Sequence, residues 1–169
     1  VAVPAEVVLA DIRAQVAQGA THITFADPDF FNGPTHAMRL VTALHAEWPA
    51  LTYDATIKVA HLRAHDALLP TLVETGCAFV TTAVESLDDD VLARLEKGHT
   101  RADVEAVVAR SRALGLVLVP TFLAKASARS PVPPATSSTR APSRTPLRWI
   151  VNAFHNRCMP PDIRSFIRS

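Results

Sequence analysis

Four short β-rich runs alternate with helical patterns along residues 1–124, and this alternation most constrains what the chain can fold into. The runs cover residues 22–26, 51–57, 78–84 and 116–123. Apolar residues recur at helical spacing between them, and glycines follow several of the helical patterns. Strands that alternate with helices are typical of a parallel sheet with right-handed crossovers. The pattern predicts an α/β fold in which residues 1–124 form a partial parallel (β/α) barrel that is incomplete.

The helical patterns predict five helices in this region. They cover residues 5–18, 35–47, 61–75, 88–95 and 100–114. Pro70 either splits the third helix or marks a first turn within it. Asp88 is predicted to cap the fourth helix through its carboxylate, and Thr100 with Asp103 forms a capping-box pattern at the fifth. The segment 27–34 contains two prolines and a glycine and is predicted to be a loop.

Length and charge divide the chain into two segments, 1–124 and 125–169. The 169 residues suffice for one ordinary domain and are too few for a complete (β/α)8 barrel. The first segment holds nine Lys/Arg and fifteen Asp/Glu, whereas the second holds eight Lys/Arg and one Asp. The second segment is rich in Pro, Ser and Arg, and we expect an irregular basic tail that is disordered or the product of a frameshift. Its charge leaves a nucleic-acid-binding role open, but no interleaved aromatic residues support one.

The cysteines and the apolar stretches indicate a cytoplasmic protein without a membrane partner. Only Cys77 and Cys158 occur, and their separation suits neither a disulfide framework nor a metal site. No apolar stretch reaches the roughly 20 residues that a membrane-spanning helix needs. The start shows no signal-peptide pattern. The first residue is Val1 rather than methionine, which suggests a fragment, a processed product or a start codon translated literally.

Charged and polar side chains follow three of the predicted strands. Asp27 and Asp29 come after the first strand, Lys58 after the second, and Glu85 with Ser86 after the third. The carboxyl ends of parallel strands meet at one edge of the sheet, where α/β folds bind their ligands. A group of mixed charge suits a small zwitterionic or hydroxyl-rich ligand. These five residues are the candidate site.

Each candidate also has a purely structural interpretation. Asp27 and Asp29 flank a proline in a turn, where aspartates often accept hydrogen bonds from their own backbone. Lys58 could be a solvated cation at the end of a strand. Glu85 is the hardest to explain structurally, because a carboxylate that ends a buried run needs a partner.

Other motifs give weaker signals, and neither a catalytic residue nor a metal site is predicted. G-x-S-x-G, G-x-G-x-x-G, P-loop and H-E-x-x-H patterns are absent. His61 and His65 lie four residues apart, which is a weak metal signal on one helix face. Three consecutive aspartates at 88–90 are best interpreted as a helix N-terminus.

Four segments resemble radical S-adenosylmethionine (radical SAM) enzymes, in the branch that includes cobalamin-dependent and tRNA-modifying members. They are residues 23–32 (ITFADPDFFN), 84–87 (VESL), 91–100 (VLARLEKGHT) and 113–122 (ALGLVLVPTF). The run from Glu-Ser to Lys-Gly-His-Thr is fairly specific, whereas the other parts are weak singly. The resemblance covers most of residues 1–124 and none of the tail.

The resemblance implies a partial (β/α)6 barrel and two cofactors, S-adenosylmethionine (SAM) and a 4Fe–4S cluster. In this family the cluster reduces SAM to methionine and a 5′-deoxyadenosyl radical, which abstracts hydrogen from a substrate. The resemblance implies that Asp27 and Asp29 approach the methionyl part of SAM and that Lys58 meets its carboxylate. It likewise implies that Glu85 and Ser86 contact the ribose hydroxyls or the amine. The substrate is not predicted.

The chain departs from the family at the cluster. The family holds its cluster with C-x3-C-x2-C, which is absent, and three thiolates are needed to hold it. We therefore expect a fragment of a radical SAM enzyme that is inactive alone and carries no cluster. Two alternatives stay open: a barrel fragment that binds a small ligand or a partner chain without a cluster, and a metal-dependent hydrolase that uses Asp27, Asp29, Glu85 and a histidine.

Overall fold

The computed structural model describes residues 3–123, which form six helices, two 3₁₀ turns and four strands. In chain order these are α1 (Ala5–Ala17), β1 (His22–Phe25), a 3₁₀ turn (Phe30–Asn32), α2 (Pro34–Glu47), β2 (Thr52–Thr56), α3 (Val59–Ala64), a 3₁₀ turn (Asp66–Leu68), α4 (Leu69–Glu74), β3 (Cys77–Glu85), α5 (Asp89–Arg94), α6 (Arg101–Leu114) and β4 (Leu118–Phe122). The predicted tail and its boundary after residue 124 lie outside the described residues.

The four strands form one parallel sheet in the order β1-β2-β3-β4, and the sheet is not closed. The register places Ile23 beside Tyr53, Ala55 beside Val80, and Val80 beside Leu118. Because neighbouring strands are parallel, each connection must return along the sheet, and helices make every return. The structure confirms the predicted α/β class and the incomplete parallel barrel.

One face of the sheet packs against helices and forms the core. Tyr53, Ala55, Val80 and Val84 point to this face and are almost completely buried. Burial of such side chains stabilises the fold by about 1.5–3 kcal/mol for each large apolar residue. The helix residues that complete the cluster are Leu9, Ile12, Ala37, Leu40, Val41, Leu44, Val59, Leu62, Leu69, Leu72, Val104 and Val107.

The opposite face of β1 and β2 is polar, because side chains alternate between the two faces along a strand. It carries a hydrogen-bonded network around Asp54, whose Oδ1 accepts from His22 Nε2 at 2.8 Å and from Thr24 Oγ1 at 2.7 Å. The other ring nitrogen of His22 lies 2.7 Å from Thr52 Oγ1. Asp54 is only 8% exposed. The network connects β1 to β2 across their strand pairing.

The predicted helix caps are confirmed. Asp88 Oδ1 accepts hydrogen bonds from the backbone N–H groups of Asp90 and Val91. Thr100 and Asp103 form the reciprocal capping box at α6. These side chains satisfy backbone donors that the first turn of a helix leaves unpaired.

The helical region predicted over residues 61–75 is divided in the structure. The chain forms α3, a 3₁₀ turn and α4 there, and α3 begins at Val59. Pro70 lies in the first turn of α4, where its missing N–H costs no hydrogen bond, so the first-turn alternative is the observed one. The break lies ahead of the proline, at residues 65–68.

No helix within residues 3–123 is both long enough and apolar enough to cross a membrane.

Candidate functional site

The five predicted site residues all lie at the carboxyl edge of the sheet, in two groups. Asp27, Asp29 and Lys58 follow β1 and β2, whereas Glu85 and Ser86 lie at the end of β3. No side-chain hydrogen bond or ion pair within residues 3–123 joins one group to the other. Each group therefore has its own geometry, and each includes a partner that the sequence did not assign to it.

Asp29 is the centre of the first group. Its side chain is 1% exposed, and its Oδ2 lies 3.3 Å from Lys58 Nζ and 2.8 Å from His61 Nδ1. The backbone N–H of Lys58 donates to Asp29 Oδ1 in a long contact of 3.4 Å. An isolated buried carboxylate is costly, so the two neighbouring basic side chains stabilise it.

The contact between Asp29 and His61 is close but poorly aligned. Although the two atoms are 2.8 Å apart, neither Asp29 Oδ2 nor His61 Nδ1 has an aligned hydrogen bond to a described residue. A hydrogen bond weakens steeply as its angle departs from linear. The attraction to Asp29 Oδ2 is therefore chiefly one of charge, from Lys58. The sequence signal for His61 was its position three residues after the strand-end lysine.

Asp27 shapes the loop that positions Asp29. Its Oδ1 accepts a hydrogen bond of 2.9 Å from the backbone N–H of Asp29, while its side chain is exposed. This is the local turn that aspartates commonly form. The structural interpretation of Asp27 is thus observed, and its contact with a ligand stays a prediction.

Glu85 is the centre of the second group and has an uncommon backbone conformation. Its φ angle is +66°, in the left-handed region, and the pairing with β4 shifts by a residue at this point. A left-handed non-glycine residue costs on the order of 1–3 kcal/mol. Glu85 Oε1 accepts a hydrogen bond of 3.1 Å from Lys97 Nζ, and the side chains are 21% and 25% exposed respectively. The backbone strain therefore lies at a residue of the candidate site.

Ser86 shapes the turn that leaves β3. Its Oγ accepts a hydrogen bond of 3.0 Å from the backbone N–H of Asp88, and its own N–H donates to the Val84 carbonyl at 2.8 Å. The turn leads directly into the capped start of α5. A ligand contact by Ser86 would add to this local role.

The Lys-Gly-His-Thr segment, residues 97–100, lies between α5 and α6 and contacts the end of β3. Lys97 pairs with Glu85, and the buried His99 lies with Nε2 3.3 Å from the Val84 carbonyl. A carbonyl only accepts, so His99 Nε2 carries the donated proton. Thr100 then caps α6. The segment is therefore a support for the strand end that presents Glu85.

The described cysteine does not fit an iron–sulfur cluster. Cys77 begins β3, at the edge opposite the candidate site, and its Sγ–H donates to the Phe79 carbonyl. Burial, with the nearby charge of Asp54, raises the pKa of Cys77 to about 12, whereas cluster ligands are thiolates. Cys158 lies outside the described residues.

A metal site is likewise not found in the described part of the chain. Within residues 3–123, no group of three or more His, Cys, Asp or Glu side chains is arranged to hold a metal ion. The hydrolase alternative therefore gains no support from these residues.

Comparison with known proteins finds solved structures with a similar fold. No protein-family model matches the chain, and no curated protein matches it. Two solved structures of the cobalamin-dependent S-adenosylmethionine radical enzyme OxsB match, one with aqua-cobalamin and S-adenosylmethionine bound and one with aqua-cobalamin bound. Each match has a TM-score of 0.56 and 19% sequence identity, and covers 62% of this chain and 17% of OxsB.

At that identity the similarity concerns the fold alone. The described residues have a radical SAM-like fold, which agrees with the resemblance found in the sequence at the level of fold. The matched region is less than a fifth of the OxsB chain. The likeness to tRNA-modifying members stays a prediction.

Proposed function

We propose that the chain belongs to the core of a radical SAM enzyme and that the carboxyl edge of its sheet binds SAM. The observation that carries the proposal is the pairing of charged side chains, Asp29 with Lys58 and Glu85 with Lys97, at that edge of a radical SAM-like sheet. One of the similar OxsB structures has S-adenosylmethionine bound. Ligands of parallel α/β sheets bind at this edge.

The chemistry of the edge suits SAM, which carries a carboxylate, an ammonium group and two ribose hydroxyls. Lys58 is 59% exposed and offers a cation to the carboxylate. Glu85 Oε1 accepts a hydrogen bond from Lys97 Nζ, and the carboxylate retains acceptor capacity for hydroxyl or ammonium donors. Ser86 and Asp27 lie next to the two central residues and complete the proposed site.

The residues present fit SAM but not the cluster. In a radical SAM enzyme a 4Fe–4S cluster would supply the electron that cleaves SAM, whereas these 169 residues contain no C-x3-C-x2-C to hold it. We therefore assign SAM binding, and not SAM cleavage, to this chain by itself.

Isothermal titration calorimetry with SAM tests the binding. We expect saturable binding to the wild-type chain and about a tenfold weaker affinity for Glu85→Ala, which corresponds to roughly 1.4 kcal/mol. Arg94→Gln is the matched control, because Arg94 lies on α5 and takes part in neither group. Absence of saturable binding to the folded wild-type chain would refute the proposal.

Anaerobic reconstitution with iron and sulfide tests the assignment of cleavage. We expect no stoichiometric 4Fe–4S cluster and no 5′-deoxyadenosine when the chain is reduced in the presence of SAM. A stoichiometric cluster on this chain would show that the assignment is wrong.

One observation supports a second candidate function, the binding of a partner chain. The last described strand and its flanks expose large apolar side chains, Val117, Val119 and Leu123. Exposed strand edges with apolar side chains promote association. Sedimentation velocity of the wild-type chain and of Val119→Thr separates the two functions, since a loss of association with SAM binding unchanged would assign this strand to a partner.

A further inference from the structure

We infer that two copies of this chain pair edge to edge, β4 of each with β1 of the other, and close one eight-stranded parallel barrel. Each β4–β1 junction between the copies is called a seam, and the dimer has two identical seams. The inference does not depend on SAM. It develops the second candidate function by naming the partner as another copy of the chain.

The two outer strands of the sheet each have an edge that faces away from the sheet. Within residues 3–123, β1 pairs only with β2 and β4 pairs only with β3. Thr21 and Val117 direct their carbonyls to the neighbouring strand of the sheet. Backbone groups alternate in direction along a strand, so those that point outward belong to His22, Thr24, Leu118, Pro120 and Phe122. An exposed strand edge is a template for pairing with another chain.

The strand directions favour pairing of β4 with β1 of the second copy. All strands are parallel, and a two-fold axis along them keeps every strand parallel when the second copy is added. Two four-stranded sheets supply the eight strands at which a parallel β/α barrel closes. A head-to-tail interface that does not close grows into a filament, whereas closure uses both edges of both copies.

Pro120 determines which half of β4 can pair. Proline has no N–H to donate, which confines it to edge strands and bulges. In a seam centred on Phe122, that residue donates to the His22 carbonyl and accepts from the Thr24 N–H. The Pro120 carbonyl then accepts from the His22 N–H, so the missing donor costs nothing. A seam centred on Leu118 would leave the Thr24 carbonyl without its donor.

Exposed apolar side chains are concentrated at the two edges. Within residues 3–123, eight large apolar side chains are exposed, and five of them lie on or next to α1 and β4, namely Val3, Val7, Val117, Val119 and Leu123. Leu118 and Phe122 pack against the core, so alternation places residues 117, 119 and 123 on the opposite, open face. In the closed barrel each β4 lies across the interior from the other β4, and these side chains bury one another.

α1 supplies the helix that covers each seam. It directly precedes β1 and packs beside α2, to which the Arg13–Glu47 ion pair joins it. At the seam α1 becomes a neighbour of α6, the helix that precedes β4 in the other copy. α1 carries two acidic side chains and one basic, whereas α6 carries three basic and two acidic. The net charges of the two helices are therefore complementary.

The polar groups on the open face already have partners. Asp54 accepts hydrogen bonds from His22 and Thr24, so closure carries no unpaired carboxylate into the barrel. The carboxyl ends of the strands remain open at the rim, where barrels of this kind bind their ligands. The candidate site of each copy thus stays accessible.

Sedimentation velocity of the full 169-residue chain tests the dimer. We expect a species of twice the 18.2 kDa chain mass that dissociates on dilution. The single-chain mass at every concentration up to about 100 μM would overturn the inference. Steady growth into larger species would also overturn it, because it would show that the edges pair without closing.

Two lysine substitutions test the two sides of a seam separately. Val7→Lys changes the α1 side and Val119→Lys the β4 side, and each is expected to raise the dimer Kd at least about tenfold. Val73→Lys is the matched control, because Val73 is an exposed valine on α4, and its Kd should stay within about twofold. Circular dichroism establishes that each variant is folded. An unchanged Kd in either edge variant, or an equal rise in the control, would contradict the seam.

Amide hydrogen exchange locates the interface in the wild-type chain. The N–H groups of His22, Thr24 and Phe122 gain acceptors in the seam, so their exchange should slow at least about tenfold when the dimer forms. Unchanged exchange at all three in a confirmed dimer would place the interface elsewhere and overturn the inference.

Measurement of the mass with and without SAM separates this inference from the proposed function. A chain that forms the dimer but binds no SAM would uphold the barrel and refute SAM binding. A chain that binds SAM and keeps the single-chain mass would uphold the proposed function and refute the barrel.

Discussion

Two carboxylate–lysine pairs lie at the same edge of the sheet and differ in which partner is accessible. In the first, the carboxylate of Asp29 is buried and Lys58 is largely exposed, whereas in the second Glu85 and Lys97 are both about three-quarters buried. The first pair therefore exposes a positive charge to solvent. In the second pair the two charges neutralise each other, and the Glu85 carboxylate can still accept further hydrogen bonds. A zwitterionic ligand needs one surface of each kind.

The two pairs also differ in what constrains them. Asp29 is constrained by burial beneath basic side chains, whereas Glu85 is constrained by a left-handed backbone and by the segment 97–100 that precedes α6. Loss of a cation next to a buried carboxylate leaves an uncompensated charge, whereas a more accessible carboxylate recovers hydration. This difference predicts which substitutions should have the larger effects and which the smaller.

The largest effect is expected for removal of both basic partners of Asp29. The double variant Lys58→Met/His61→Gln leaves the carboxylate buried without a cation and should lower the free energy of unfolding by about 3 kcal/mol. Urea denaturation followed by circular dichroism measures it. If the double variant lost no more unfolding free energy than Lys97→Met, burial of the carboxylate would not explain any difference in stability between the two pairs.

The Asp54 network on the opposite face should give the next largest effect. Asp54→Ala removes the acceptor of His22 and Thr24 and is expected to cost about 2 kcal/mol. Since the network lies on another part of the sheet, SAM affinity at a temperature where the variant is folded should stay within about twofold of wild type. A selective loss of SAM binding would show that SAM binds on the open face of the sheet and not at its carboxyl edge.

The Asp103 capping box supplies a carboxylate whose effect depends on pH. Hydrogen bonds from Thr100 lower the pKa of Asp103 below its ordinary value of 3.8. Its contribution is therefore complete above that value and is lost as the pH falls through the lower folded pKa. Asp103→Asn should cost about 1 kcal/mol at pH 7 and much less at a pH below the folded pKa of Asp103, measured by urea denaturation. An equal difference at both pH values would contradict this assignment.

The smallest effect is expected for Lys97→Met. Glu85 keeps access to water when its partner is removed, so the expected loss is about 1 kcal/mol or less, and it should shrink as salt is added. Thermal unfolding in low and high salt provides the measurement. A loss of unfolding free energy near 3 kcal/mol, as expected when a buried ion pair is broken, would show that Glu85 depends on its partner as strongly as Asp29 does.

Much of the fold followed from local patterns in the sequence. Alternating strands and helices predicted the parallel sheet, and Asp88, Thr100 and Asp103 predicted two helix caps, because a cap depends on residues within one turn. The positions of Asp29, Lys58 and Glu85 after strands predicted that they share an edge, since strand direction alone decides this.

What could not be predicted depends on contacts between distant parts of the chain. His61 reaches Asp29 across 32 positions, and Lys97 reaches Glu85 across 12, so neither pairing has a local signature. The left-handed conformation of Glu85 is also not favoured by its residue type and arises where the pairing with β4 shifts. Asp54 did have a signal, because it alternates with the buried Tyr53 and Ala55 along β2.

The central claim is that SAM binds at the carboxyl edge, and a backbone amide NMR titration with SAM tests it most directly. The expected result is saturable shifts at Lys58, His61, Glu85 and Ser86, with His22 and Cys77 at the opposite edge unchanged. Saturable shifts centred on His22 and Cys77, or no shifts at any concentration of SAM, would contradict the account.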